Sequence, residues 1–268
     1  MPYNAKNCTI QIDNTTMDYI SFGSGSKNLV IIPGLGDALK TVKGTAFSFS
    51  LLYKLFAKNY KVYVFSRKNK LKQGCSTRDM AADLAAALHQ LYITDACVMG
   101  VSQGGMIAQH LAIDYPELVK KLVLAVTACA PNETSKSVIS HWLALAAENN
   151  FYQIFADTAE KTYTEAKLKL YRPFYGVLSK LSAPKNLDRF ILQATACLNH
   201  NALEGLSKIK CPTLVIGGDN DKIVGGFSCA QLAGHIAQSK LKIYSGLGHG
   251  TYEEAPDFNR RVLTFFDN

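Results

Sequence analysis

With 268 residues, 48% of them hydrophobic and 19% charged, the chain holds enough apolar material to bury a self-sufficient core, and its 19 Gly and 8 Pro are ordinary globular usage. That composition excludes disordered, fibrous and disulfide-scaffold classes, and no stretch approaches the ~20 apolar residues of a membrane helix. The net charge of +8 is concentrated locally, with ten Lys or Arg and no Asp or Glu from Ala38 to Arg78.

The densest part of that run, Arg67-Lys68-Asn69-Lys70-Leu71-Lys72, lacks interleaved aromatics for stacking bases, and no nucleic-acid motif accompanies it. A solvated basic face is expected, without a nucleic-acid or membrane partner. The seven cysteines are scattered and form no CxxC pair, so neither a zinc site nor a redox motif is indicated. Buried thiols in a reducing compartment fit, and the N-terminal residues lack the apolar run of a signal peptide. A cytoplasmic location is therefore expected.

In chain order, Cys8–Ile12 and Thr16–Phe22 are expected to pair as a hairpin through the turn formers Asp13-Asn14. Leu29-Val30-Ile31-Ile32 is a continuous, mostly β-branched run, as in a strand buried on both faces. Lys61–Phe65, Ala96–Val101, Leu122–Val126 and Thr213–Ile216 repeat that character. Between them, Phe49–Ala57, Thr77–Leu91 and Met106–Asp114 carry helical periodicity, the second opened by a cap at Ser76. Alternating strands and helices predict an α/β fold with a mostly parallel central sheet flanked by helices. The rhythm breaks after Pro131. Helical patterns at His141–Ala147, Phe151–Ala156, Thr164–Leu170 and Leu187–Ala196 follow without a convincing strand. Residues 131–205 are read as a helical insertion, with 1–130 and 206–268 forming the core.

The strongest chemical signal is Gly100-Val101-Ser102-Gln103-Gly104, a G-x-S-x-G at the junction of a strand and a helix. Such a sharp turn strains the central residue and exposes its hydroxyl, and close strand–helix approach requires tiny residues on either side, here Gly100 and Gly104. A nucleophilic Ser102 needs a base. Of the six histidines, His249 stands out, because Gly246-Leu247-Gly248-His249-Gly250 is a loop just past the strand-like Leu241–Tyr244. Loops at the carboxyl ends of parallel strands are where open α/β sheets place ligands. Two aspartates compete for the orienting acid. Asp221 is favoured, because Asp219 is expected to close its turn by bonding backbone amides. Oxyanion donors are expected from the amide of Gln103 and from the glycine-bearing loop Pro33–Asp37. A dinucleotide fingerprint is a poor reading of Gly34-x-Gly36: Leu39 stands where the third glycine belongs, and Ser66 where the acidic residue belongs.

On these residues the sequence resembles the serine hydrolases of the α/β-hydrolase fold, carboxylesterase- or lipase-like, with a helical cap. The resemblance runs from the Pro33–Asp37 loop through the elbow and the acid turn at Gly218–Asp221 to His249 and a closing helix near Phe265. It implies Ser102 as nucleophile, Asp221 as orienting acid, His249 as base, and the amides of Leu35 and Gln103 as oxyanion donors. Three positions depart from the family's habit: Pro33 replaces a His, Ser66-Arg67-Lys68-Asn69 replaces Asp-x-Arg-Gly, and Val224-Gly225-Gly226 replaces a proline after the acid. The implied activity is hydrolysis of a small-molecule ester of a small or medium acyl chain, with no metal or organic cofactor. C–C bond hydrolases, lactonases, thioesterases and acyltransferases share this machinery, and a slow-turnover ligand receptor is the reading from another class. Trp142, Phe151, Phe155 and Phe174 in the insertion are candidates for the substrate pocket.

Overall fold

The computed structural model describes all 268 residues. Eight strands, β1 (Lys6–Ile12), β2 (Thr15–Phe22), β3 (Lys27–Ile32), β4 (Tyr60–Lys68), β5 (Ala96–Val101), β6 (Val119–Ala125), β7 (Thr213–Gly218) and β8 (Ser239–Tyr244), form one sheet in the order β1-β2-β4-β3-β5-β6-β7-β8. The β1–β2 hairpin pairs antiparallel with Ile12 opposite Thr15, and β2 runs antiparallel to β4. All further neighbours are parallel. The helices are α1 (Ala46–Leu52), α2 (Thr77–Gln90), α3 (Gln103–Asp114), α4 (Glu133–Ala147), α5 (Phe151–Thr162), α6 (Glu165–Tyr171), α7 (Tyr175–Ser182), α8 (Asp188–Leu198), α9 (Ser228–Gly234), α10 (Thr251–Glu254) and α11 (Phe258–Asp267).

The two-residue period of a strand explains the layers. In β3, Val30 and Ile32 enter the core cluster shared with α2, α3 and α9, whereas Leu29 and Ile31 enter the one shared with α1 and α11. Both faces are therefore covered, which is why the parallel strands read as continuous apolar runs. Each such side chain fully removed from water contributes about 1.5–3 kcal/mol. The chain is an α/β-hydrolase-type sandwich of helices about a mostly parallel sheet. No helix is long and apolar enough to cross a membrane.

Two helical expectations need correction. The first helix covers Ala46–Leu52 rather than Phe49–Ala57; beyond Leu52 the apolar residues Tyr53, Phe56 and Ala57 sit in tight turns closed by Phe56 N–H to the Tyr53 carbonyl and Ala57 N–H to the Lys54 carbonyl. Helix α7 was not legible, because Val177 is exposed, Leu181 lies exposed at the cavity, and Tyr175 is its one buried apolar side chain. The solvated basic face is also only partly right. Eight of its ten cations are exposed, but Arg67 and Lys68 are buried at the end of β4. Lys68 is held by Asp83 at 2.7 Å and Asp13 at 3.1 Å.

Candidate active site

Strand β5 ends at Val101 and α3 begins at Gln103, so Ser102 alone makes the turn, with φ 54° and ψ −119°. A non-glycine residue in this region is strained, and here the surroundings hold it there. The Ser102 amide donates to the Ala125 carbonyl at 2.9 Å, and the Thr127 hydroxyl donates to the Ser102 carbonyl at 2.8 Å. The two glycines are sterically required. A Cβ on Gly104 would lie 2.0 Å from the Ile32 carbonyl oxygen, and one on Gly100 would lie 2.4 Å from that of Gly104.

The loops after β5, β7 and β8 converge at one end of the parallel strands. His249 Nε2 lies 2.9 Å from Ser102 Oγ, and His249 Nδ1 lies 2.8 Å from Asp221 Oδ2. The other oxygen of Asp221 accepts from the amides of Ile223 at 2.8 Å and Val224 at 3.0 Å. Burial by itself would raise the Asp221 pKa, but the attraction of His249 and these hydrogen bonds outweigh it and hold the carboxyl below its ordinary range. Asp219 turns away from the His249 ring, as its weaker claim to the acid role implied, but it accepts from the Gly246 amide at 2.7 Å in the loop ahead of His249 rather than from amides of its own turn. The same loop is tied to the insertion, since the Gly250 amide donates to the Thr162 carbonyl at 2.7 Å.

Gln103 opens α3 and Leu35 opens the short 3-10 turn Leu35–Ala38, so each amide precedes the first intrahelical acceptor. A Cβ on Gly34 would sit 3.2 Å from Ser102 Cβ, which places this loop directly against the serine. Behind it lies a polar cluster that the sequence reading missed. Arg67 Nη2 donates to the Pro33 carbonyl at 2.5 Å and to Gln103 Oε1 at 2.9 Å. Asp37 Oδ2 accepts from Arg189 Nη2 of α8 at 2.7 Å and from the Arg67 amide at 3.1 Å, with Arg67 Nη1 3.9 Å away. Gln103 Nε2 reaches the Gln193 carbonyl at 2.9 Å and Cys197 Sγ at 3.2 Å, both also on α8. Burial pulls the Arg67 pKa down to about 10, with Asp37 opposing, so it stays cationic at neutral pH. Arg67 Nε and Nη1, Arg189 Nε and Asp37 Oδ1 are buried without a partner, on the order of 1–3 kcal/mol each in lost hydration. Only Ser66-Arg67 breaking an apolar strand, and Asp37 in a glycine loop, hinted at this.

Ser102 and His249 open into a cavity of about 650 Å³, 24 of whose 38 lining residues are hydrophobic. Lys40 is its only lysine or arginine. Of the four candidate pocket residues, Trp142 and Phe155 line it. Phe151 and Phe174 do not. Phe151 packs against the cluster formed by α4 and α8, 6.3 Å from the Phe155 ring, and Phe174 is 58% exposed on the outside of the insertion. In both cases the side chain points away from the cavity, a direction that composition does not reveal.

Residues 27–256 match the model of the alpha/beta hydrolase fold family. The chain belongs to that family. A 2-hydroxy-6-oxononadienedioate/2-hydroxy-6-oxononatrienedioate hydrolase of Klebsiella pneumoniae is 28% identical over 265 residues, covering 91% of this chain and 88% of the relative. The 3-oxoadipate enol-lactonase 2 of Acinetobacter baylyi is 26% identical over 186 residues, 68% of each chain. Among solved structures, the α/β hydrolase MGS-M2 from a deep-sea metagenome superposes with a TM-score of 0.86 at 23% identity, over 97% of this chain and 98% of that one. The enol-lactonase of Burkholderia xenovorans LB400 gives 0.85 at 17% identity, over 97% and 100%. These superpositions establish the fold. This α/β hydrolase thus carries the serine–histidine–aspartate geometry at the position where its fold gathers ligands.

Proposed function

We propose that the chain hydrolyses neutral esters of small or medium acyl chains through an acyl-enzyme on Ser102, with helices α4–α8 (residues 131–205) serving as a cap over the core formed by 1–130 and 206–268. The observation that carries this reading is the Ser102–His249–Asp221 chain of hydrogen bonds, 2.9 and 2.8 Å, opening into a mainly apolar cavity. Ser102 Oγ attacks the ester carbonyl and passes its proton to His249 Nε2; Asp221 holds the ring and favours its cation. The amides of Leu35 and Gln103 receive the oxyanion. On collapse the C–O bond breaks and His249 gives its proton to the leaving alcohol. Water, deprotonated by the same ring, then attacks the acyl-enzyme and releases the acid.

Charge favours esters over the substrates named for the dienedioate hydrolases. A dioate is a dianion at neutral pH and needs cationic partners once out of water. This cavity offers only Lys40, which is exposed, and its lining also holds the carboxylates of Asp37 and Glu253. The test is phenolate release from p-nitrophenyl esters, acetate to decanoate, by the wild type and Ser102→Ala. Turnover reduced at least about a thousandfold in the variant is expected. Inert wild type would overturn the ester reading, and turnover of a 2-hydroxy-6-oxo-dienoate or an enol-lactone by that protein would replace it with a C–C hydrolase or lactonase.

A further inference from the structure

The buried cation Arg67 lies outside the triad, does not line the cavity and is too costly to be mere packing. We infer that Arg67 is a positioning residue that holds the two halves of the oxyanion hole in register, an inference resting on the serine-hydrolase reading of Ser102.

One atom makes the connection. Arg67 Nη2 donates to the carbonyl of Pro33, two residues before the Leu35 amide, and to the side chain of Gln103, whose own amide is the second donor. Those amides come from separate loops, after β3 and β5, and no other side chain bonds to both Pro33 and Gln103. Transition-state stabilisation depends on donors fixed in advance at the place where charge develops, and a displacement near 1 Å is enough to lose about a hundredfold in rate.

Ion pairing does not explain the residue. Without Arg67, Asp37 keeps Arg189 at 2.7 Å. The two bonds of Arg67 come at a cost, since it satisfies the Pro33 carbonyl and Gln103 Oε1 while leaving its own Nε and Nη1 unpartnered in the interior. The two guanidiniums facing one carboxylate also leave a net positive charge behind the loop that receives the oxyanion, in a region that water does not screen.

The experiment compares the wild type with Arg67→Lys and Arg67→Met, each shown to melt cooperatively, by ester kinetics and by affinity for an alkyl boronic acid. Boron takes up Ser102 Oγ, with the hydroxyl proton passing to His249, and becomes a tetrahedral anion; loss of binding in Ser102→Ala locates the adduct. Expected is a fall in kcat of about ten- to a hundredfold, KM within about twofold, and boronate affinity weakened by the same factor as kcat. Lysine keeps the charge, but its ammonium ends one bond short of Nη2 and is not held in a plane, so it does not restore the rate. Wild-type kcat and boronate affinity in either variant, or a loss confined to KM, would overturn the inference. If Arg67→Met does not fold, Arg67→Lys decides on the same readings. A wild type that binds boronate at Ser102 yet turns over no ester refutes the ester reading alone, and the boronate affinities then decide on Arg67.

Discussion

Asp219 and Asp221 stand two residues apart on the turn after β7 and grip opposite ends of the same loop: Asp221 Oδ2 holds the ring of His249 at 2.8 Å, and Asp219 Oδ1 holds the amide of Gly246 at 2.7 Å. One fixes the His249 ring, the base of the proposed reaction, and the other shapes the loop that carries it.

Amide substitutions separate these roles. Asp221→Asn is expected to lower kcat by about 10³–10⁴-fold, because an amide neither enforces the required tautomer nor stabilises the imidazolium. Asp219→Asn is expected to keep kcat within about tenfold and to lose about 1 kcal/mol of stability. Steady-state ester kinetics beside denaturant melts check both.

The elbow gives a steric prediction. Gly104→Ala places a methyl 2.0 Å from the Ile32 carbonyl and 2.6 Å from that of Pro33, both backbone, so neither can swing aside. A loss of about 3 kcal/mol or more is expected, with activity falling alongside. Gly36→Ala, whose Cβ meets nothing within 4 Å, is the control and should stay within about 0.5 kcal/mol of the wild type. Thermal melts of the two variants decide.

Acyl-chain preference should respond to Phe155 and ignore Phe174. Phe155→Ala opens cavity space, and two further methylenes accommodated at about 0.8 kcal/mol each shift kcat/KM toward the longer ester by about tenfold. Phe174→Ala, on the outer surface, leaves the chain-length profile unchanged. A profile over acetate to decanoate esters reads both.

A buried histidine away from the site should govern acid stability. His200 is 2% exposed, bonds Thr77 Oγ1 through Nδ1 at 2.8 Å, and meets His110 edge-on with ring centres 5.1 Å apart. Burial, reinforced by His110, pushes its pKa down to about 3. The unfolded chain protonates it near 6.5, so below that pH the unfolded state binds the extra proton and is favoured. Its contribution is complete above pH 6.5 and declines progressively to about pH 3. His200→Gln, whose amide can either donate to or accept from Thr77, should flatten the fall in melting temperature between pH 7 and 4.

The strands and the meeting of Ser102, His249 and Asp221 were legible because each rests on local rules. Leu29–Ile32 could only be a buried strand, and Gly100 and Gly104 flank Ser102 because nothing larger fits. The long-range pairings were not. Arg67, Asp37 and Arg189 lie 30 and 122 residues apart along the chain, and a charge in a basic run looks the same whether it meets water or a carboxylate. The direction of Phe151 and Phe174 depends on how α4, α5 and α7 pack, which helical periodicity leaves undetermined.

The insertion is fastened to the chemistry at three places, one of them Asn132 ahead of α4, whose side chain donates to the Val224 carbonyl at 2.6 Å beside the amide that holds Asp221. Helix α8 bonds the oxyanion loop and the elbow through Arg189, Gln193 and Cys197, and the α5–α6 junction bonds the His249 loop through Thr162. Helix α7 has no hydrogen bond or ion pair to the sheet or its loops; Tyr175 reaches only Glu160 of α5. Yet Leu178, Leu181 and Ser182 line the cavity. Substitutions lining the cavity on α7 are therefore expected to alter which substrates fit and spare the reaction centre, whereas those at Arg189, Gln193 or Cys197 of α8 disturb the immediate neighbours of Ser102.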